Sequence, residues 1–214
     1  VMDQTSVHDA LEQVREVRRR VLERQRFLGY SAGGRLAGGA LTIVAAAVMS
    51  HPVFPAGAWA MAAAWTATAL LAAAINFGLC LRWYRTLPDD LRHLGRLYPL
   101  LDIMPPLLLA IGATAALVLH GQFDLLFGVW TGLFGLVNFY SGHHLPSSIR
   151  ALGMFYLCCG LLFLLHPGVT IMNPWPMALV YGTGEAVGSW IVHRNAQAGR
   201  LWPVMPTRGA GSET

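Results

Sequence analysis

The chain contains no lysine. All 15 of its basic residues are Arg, so no glycine loop ends in the Lys that grips phosphate in nucleotide-binding loops. Charge of either sign is sparse: 12 % of the 214 residues are charged and 55 % are hydrophobic, with a mean hydropathy of +0.48. That is too little charge for an ordinary soluble domain. Cysteine is scarce too. Cys80, Cys158 and Cys159 all fall inside apolar runs, no Cys-x-x-Cys spacing exists for zinc or redox work, and adjacent cysteines do not readily close a relaxed disulfide. They read as buried small hydrophobes. His-Glu-x-x-His is absent, and no Ser-His-Asp set shares a plausible depth. No catalytic residue is nominated, and the chain reads as non-enzymatic.

The charge that is present is segregated. Seven arginines precede residue 36, four lie between residues 82 and 96, and the rest are Arg150, Arg194, Arg200 and Arg208. Between them run long uncharged stretches, the mark of transmembrane helices. The basic balance therefore comes from arginines flanking a membrane. Nucleic-acid binding is not expected: Asp9, Glu12, Glu16 and Glu23 interleave with the first arginines, and no aromatic stacking platform accompanies them. The first apolar run begins only near residue 36, so the first span is expected to act as an uncleaved signal-anchor.

Six apolar segments follow, at 36–52, 58–81, 99–119, 122–141, 150–165 and 175–193. With the N-terminus inside, every arginine falls on the cytoplasmic side or at its boundary, and none falls in the outer connections 53–57, 120–121 or 166–174. The positive-inside rule then places both termini in the cytoplasm. The expected fold class is all-α: a polytopic bundle of six transmembrane helices in three hairpins, preceded by an amphipathic cytoplasmic helix. The expected divisions are 1–34 (cytoplasmic helix and glycine hinge), 35–194 (membrane domain) and 195–214 (a largely disordered cytoplasmic tail). The expected location is the bacterial cytoplasmic (inner) membrane.

Residues 3–28 lack Gly and Pro and repeat Val7, Val14, Val21 and Leu28 every seven positions. Thr5 or Ser6 caps such a helix, and Asp9 suits its N-terminal dipole. Three readings fit the stripe: packing on the protein's own loops, coiled-coil association with a partner or a second copy, or residence on the lipid surface. Arg15, Arg18, Arg19 and Arg20, with Arg82 and Arg85 nearer the membrane, are the candidates for contact with a protein partner or anionic membrane lipids. Gly29, Gly33 and Gly34 are expected to break this helix before the first span.

The membrane part repeats itself. RLAGGALTIVAAAVMSHP from Arg35 and RALGMFYLCCGLLFLLHP from Arg150 each run 16 residues from Arg to His-Pro, with a Gly three residues after the Arg. At about 1.5 Å per residue this covers roughly 24 Å, most of a hydrocarbon core. Pro ends each helix, and Trp59 or Trp175 opens the next. His120 and Trp130 form a weaker middle copy. The turn grammar in LLFLLHPGVTIMNPWPMALVYGTGEAVGSWIV resembles that of the HdeD-type bacterial membrane proteins linked with acid resistance, which are built from short paired helices with an Asn-Pro or His-Pro turn. The stretch VREVRRRVLERQRFLGYSAGGRLAGG is similar to the opening of bacterial six-helix integral membrane proteins with an Arg-rich N-terminal helix. Neither resemblance implies a catalytic residue.

Glu185 is the most informative single residue, because an ionisable group at bilayer depth is costly and points to a proton relay, a cation site or a buried partner. Its structural reading is a glutamate tying helices together through Asn76, Asn138 or Tyr140, helped by the close approach that Gly184-x-x-x-Gly188 permits. Asp102 sits nearer the inner interface and reads as a partner of Arg82, Arg85 or Arg96. A b-type haem needs axial histidines facing one another at similar depth, and His143 or His144 against His193 is the pair that fits. His51, His120 and His166 form an outer set able to converge on a metal. The alternative is that these histidines close helix ends beside interfacial tryptophans, with no cofactor at all. Two functions fit the whole: an accessory, scaffolding or regulatory subunit of a membrane complex, or a small-solute or proton-coupled transporter using Glu185.

Overall fold

The computed structural model describes residues 31–86, 103–142 and 147–200, with side chains as far as residue 197. Among them there are helices and turns and no strand. We number the helices α1 (Ala32–Met49), α2 (Ala58–Arg85), α3 (Met104–Leu119), α4 (Leu126–Ser141), α5 (Ser148–Leu165) and α6 (Trp175–Arg200). A 3₁₀ turn, Phe123–Leu125, leads into α4.

Local chemistry explains most of the boundaries. Ser31 has an extended backbone, and its hydroxyl accepts from the Gly34 N–H at 3.3 Å, capping α1. Gly33 and Gly34, expected as a hinge, therefore lie inside the first turn of α1. The reason is space: a Cβ at Gly34 would sit 2.7 Å from Asn76 Oδ1 of α2, so the glycine admits a neighbour. Pro105 and Pro106 occupy the first turn of α3, where a missing N–H costs nothing. Gly121, at φ +71°, makes the turn after α3, a conformation that other residues rarely adopt. The 28 residues of α2 span about 42 Å, longer than a hydrocarbon core, and carry Arg82 and Arg85 in the last turn. Helix α6 continues to Arg200, so residues 195–200, expected in a disordered tail, are helical.

The distribution of side chains is that of a protein solvated by lipid. Leu36, Val44, Val48, Leu70, Leu108, Leu119, Leu162 and Leu165 are exposed, whereas Arg35, Thr42, Thr68, Thr131, Asn138 and Glu185 are buried. Water would favour the reverse; a hydrocarbon solvent favours polar groups paired inside and apolar ones outside. Four helical stretches, Ala32–Met49, Ala58–Arg85, Phe123–Ser141 and Ser148–Leu165, are long and apolar enough to cross a membrane, and α3 is a shorter apolar helix. The chain is thus an all-α protein with membrane-spanning helices. Cys158, expected inside, is exposed on α5, while Cys80 is buried.

Glycine decides which helices pack most closely. At the α4–α5 seam, a Cβ on Gly135 would lie 2.7 Å from the Leu157 amide nitrogen, and one on Gly160 would lie 2.6 Å from that of Gly132. Gly153 similarly abuts the Phe139 backbone. With no hydrophobic driving force between helices in lipid, such backbone contact supplies the dispersion energy of association. The second close seam joins α1 to α6: a Cβ on Gly39 of α1 would lie 2.9 Å from the Glu185 Cβ and 3.4 Å from the Gly182 carbonyl oxygen of α6. Toward the His-Pro turns, Met49, Met61, Trp65, Leu126, Phe127, Ile171 and Met177 form one apolar core. Toward the other end, Ile149, Leu152, Tyr156 and Ile191 form a second.

Candidate functional site

Only two carboxylates, Asp124 and Glu185, occur among the described residues. Asp124 lies at the start of the turn into α4, where Oδ1 accepts from the Ile171 N–H at 3.1 Å and ties two connections together. Glu185 lies on α6 inside the bundle. Its Oε1 is 2.7 Å from Arg35 Nη2 of α1, a salt bridge in which the arginine side chain is fully buried. The Tyr156 hydroxyl of α5 donates to the same oxygen at 3.0 Å. Arg35 Nη2 also donates to Asn138 Oδ1 of α4 at 3.0 Å, while Asn138 Nδ2 donates back to the Phe134 carbonyl at 2.9 Å. Four helices are therefore joined through one charge pair.

Glycines make room for it. A Cβ at Gly188 would fall on the Arg35 guanidinium, and one at Gly184 on the Tyr156 hydroxyl. The Gly184-x-x-x-Gly188 spacing, expected to draw two backbones together, thus provides two sockets, one for the arginine of α1 and one for the tyrosine of α5. Rings enclose the tyrosine: Phe134, Phe155 and Tyr181 lie 5.0, 5.5 and 5.3 Å from Tyr156, centroid to centroid. Such edge-on and tilted packing fixes the phenol, so its hydroxyl has little freedom to leave the carboxylate. A planar guanidinium suits this position better than an ammonium, being less strongly hydrated and able to serve several acceptors at once.

The arrangement differs from expectation in several respects. Asn138 joins the network through Arg35. Asn76 does not: its Nδ2 donates to the Ala72 carbonyl at 3.0 Å and the Gly34 carbonyl at 3.5 Å, a link between α1 and α2. Tyr140 is exposed on α4, and Tyr156 is the tyrosine that meets Glu185. Arg35, expected to hold the inner interface, is buried as the counter-charge. Arg82 and Arg85 are exposed at the end of α2. Arg15, Arg18, Arg19, Arg20, Asp102, His143 and His144 lie outside the described residues. Arg35 and Tyr156 were missed as site residues. The available signal was charge balance, since a carboxylate in the middle of an apolar bundle requires a cation.

His51, His120 and His166 do not gather into a metal site. Each is exposed at a separate turn, and among the described residues no three His, Cys, Asp or Glu side chains come together to hold a metal. A shared local task explains two of them. His51 Nδ1 accepts from the Val53 N–H at 3.3 Å, and His166 Nδ1 accepts from the Gly168 N–H at 3.0 Å. In each His-Pro-x turn the imidazole caps the backbone two residues on, which replaces a bond that the proline ring prevents the helix from making. His193 lies near the end of α6, its Nε2 2.9 Å from Gln197 Nε2. No protein-family model, curated protein or solved structure matches this chain.

Proposed function

We propose that this chain is a non-catalytic integral membrane protein with six spans, α1 to α6, and both termini in the cytoplasm of a bacterium. In this reading it serves as an accessory, scaffolding or regulatory subunit of a membrane complex. The observation that carries the proposal is the use made of Glu185. A carboxylate inside an apolar bundle is a functional candidate by default, yet here it accepts from Arg35 and Tyr156 at 2.7 and 3.0 Å and its charge is balanced within the fold. Truncating one partner of such a pair costs about 3–5 kcal/mol because the other charge is left buried. The arrangement suits a rigid platform better than a carboxylate that must bind and release a proton or cation at each turnover. Arg82 and Arg85, exposed at the end of α2, and the arginines of residues 15–20 supply the contacts to anionic lipid or to a partner subunit. Native purification from membranes, with mass spectrometry of co-purifying chains, is the test. A partner that is retained by the full chain and lost on deletion of residues 1–28 supports the reading. A chain that purifies alone, with or without that deletion, overturns it.

A second reading, proton-coupled or small-solute transport through Glu185, is favoured by the residue's position where four helices meet. Flux in proteoliposomes separates the two. Glu185→Gln in a folded protein abolishes transport under the second reading, whereas under the first no flux above empty vesicles occurs with either form.

A further inference from the structure

We propose that Arg35 is the topological anchor of α6, so that the last helix crosses the membrane only because Arg35 supplies the counter-charge to Glu185. The inference rests on the six-span reading above. Its first support is composition. Helices α1, α2, α4 with its leading turn, and α5 are each long and apolar enough to span, and α3 is a shorter apolar helix. Helix α6 has 26 residues and does not reach that standard. It carries Gly182, Thr183, Gly184, Glu185, Gly188, Ser189 and His193 within three turns of one another. A segment of that make-up partitions poorly into lipid by itself.

The second support is where its polar groups go. Helix α1 answers them along its own length. Arg35 meets Glu185 at 2.7 Å, the Ser189 hydroxyl donates to the Ala32 carbonyl at 2.8 Å, and Gly39 lies against Gly182 and Glu185. Helix α5 adds the Tyr156 hydroxyl to this set.

The third support is an asymmetry between the two charges. Arg35 is three residues from the start of α1, and a long arginine side chain so close to a helix end reaches the interface while it waits for a partner. Glu185 is ten residues into α6, and its short side chain reaches neither end. Synthesis runs from the N-terminus, so the cation is in the membrane before the carboxylate arrives. Dependence therefore runs one way: α1 inserts without α6, and α6 requires α1.

The test maps the C-terminus of the full chain with two reporters, a fluorescent protein that matures only in the cytoplasm and an alkaline phosphatase active only outside. The natural sequence is expected to be fluorescent. Arg35→Leu is expected to raise the phosphatase-to-fluorescence ratio about tenfold or more, because an unpaired Glu185 leaves α6 and the tail outside. The double change Arg35→Leu with Glu185→Leu restores the natural ratio, and Arg150→Leu at the sister position leaves it unaltered. A phosphatase-active natural chain refutes the six-span reading itself. A fluorescent natural chain with an unchanged Arg35→Leu ratio overturns the anchor alone. If Arg35→Leu depletes both signals, recovery in the double variant sustains charge pairing, and persistent depletion overturns the proposal in favour of a packing role.

Discussion

Helices α1 and α5 are two copies of one pattern, yet their arginines have opposite fates. Both helices have 18 residues, both run from Arg to His-Pro, and both end in a turn capped by the histidine ring. Arg35 is fully buried between α4 and α6, whereas Arg150 is exposed, its aliphatic stem lying across Gly142 at the end of α4. The difference arises in the neighbour. Helix α6 presents to α1 a glycine socket and a carboxylate, Gly188 and Glu185. Helix α4 presents to α5 a run of glycine backbone, Gly128, Gly132 and Gly135, and the Arg150 stem lies beyond it at Gly142. The same local grammar thus builds a polar seam in one place and an apolar backbone seam in the other.

The largest effect expected from this comparison comes from removing each arginine in turn. Arg35→Leu leaves Glu185 without its counter-charge and Asn138 Oδ1 without the Arg35 donor inside the bundle, and should destabilise the folded protein by about 3–5 kcal/mol. Arg150→Leu removes an exposed charge at the rim and should leave unfolding in detergent unaltered. Reversible denaturation with a mild-to-harsh detergent series measures both. Equal effects at the two positions would mean that the burial of Arg35 carries no energetic weight.

The glycines that follow the two arginines extend the contrast. Gly153 packs on the Phe139 backbone, which cannot move aside as a side-chain tip does, so Gly153→Ala should cost about 2–3 kcal/mol by forcing α4 and α5 apart. At the sister position, a Cβ on Gly38 meets the Ala72 Cβ and Asn76 Nδ2 only at 3.9 Å, an ordinary contact. Gly38→Ala should be neutral or stabilise by up to about 1 kcal/mol, through helix propensity. A matched loss in both variants would show that α1 packs as tightly as α5 and would erase the distinction between the seams.

These seams also mark where sequence reasoning stops. The apolar runs announce the helices because lipid demands them, and Pro52, Pro105, Pro106 and Pro167 mark where helices begin or end because the ring permits nothing else. Glu185 stood out by cost. What could not be read is the rotation of each helix about its axis. In water the apolar stripe identifies the buried face; in lipid both faces are apolar, so Leu36 and Ala46 look alike although one is exposed and the other buried. Arg35 resembled an interfacial anchor for this reason. Only the opposing Gly188, 153 residues further along the chain, reveals that a guanidinium fits there. The same blindness exchanged Tyr140 for Tyr156 and assigned Asn76 to the wrong partner.

A smaller effect tests whether the tyrosine belongs to the charge pair or merely fills space. Tyr156→Phe keeps the ring and its contacts with Phe134, Phe155 and Tyr181 while removing the 3.0 Å bond to Glu185. A loss of about 1 kcal/mol is expected, in the range of hydrogen bonds between membrane helices. In Arg35→Leu protein refolded in detergent, where α6 packs without having to cross a bilayer, the hydroxyl becomes the principal remaining donor to the carboxylate, so the same change should cost more there than in the natural protein. Additive losses in the double-variant cycle would place Tyr156 outside the network energetically.

The smallest effects belong to the feature that the two copies share. His51→Ala and His166→Ala each delete an imidazole that accepts from one backbone N–H in an exposed His-Pro turn, at 3.3 and 3.0 Å. Water replaces most of such a bond, so each loss should be about 0.5 kcal/mol. The informative quantity is their difference. If the repeat governs the turns and only the neighbouring helices govern the arginines, the two losses should agree within error, although Arg35 and Arg150 differ by several kcal/mol. A markedly larger loss at His166 would mean that the turn, too, has diverged, with the connection through Asp124 and Ile171 at 3.1 Å as the structural reason. Asp124→Asn, which weakens the acceptor on that connection, should then lower the cost of His166→Ala to that of His51→Ala.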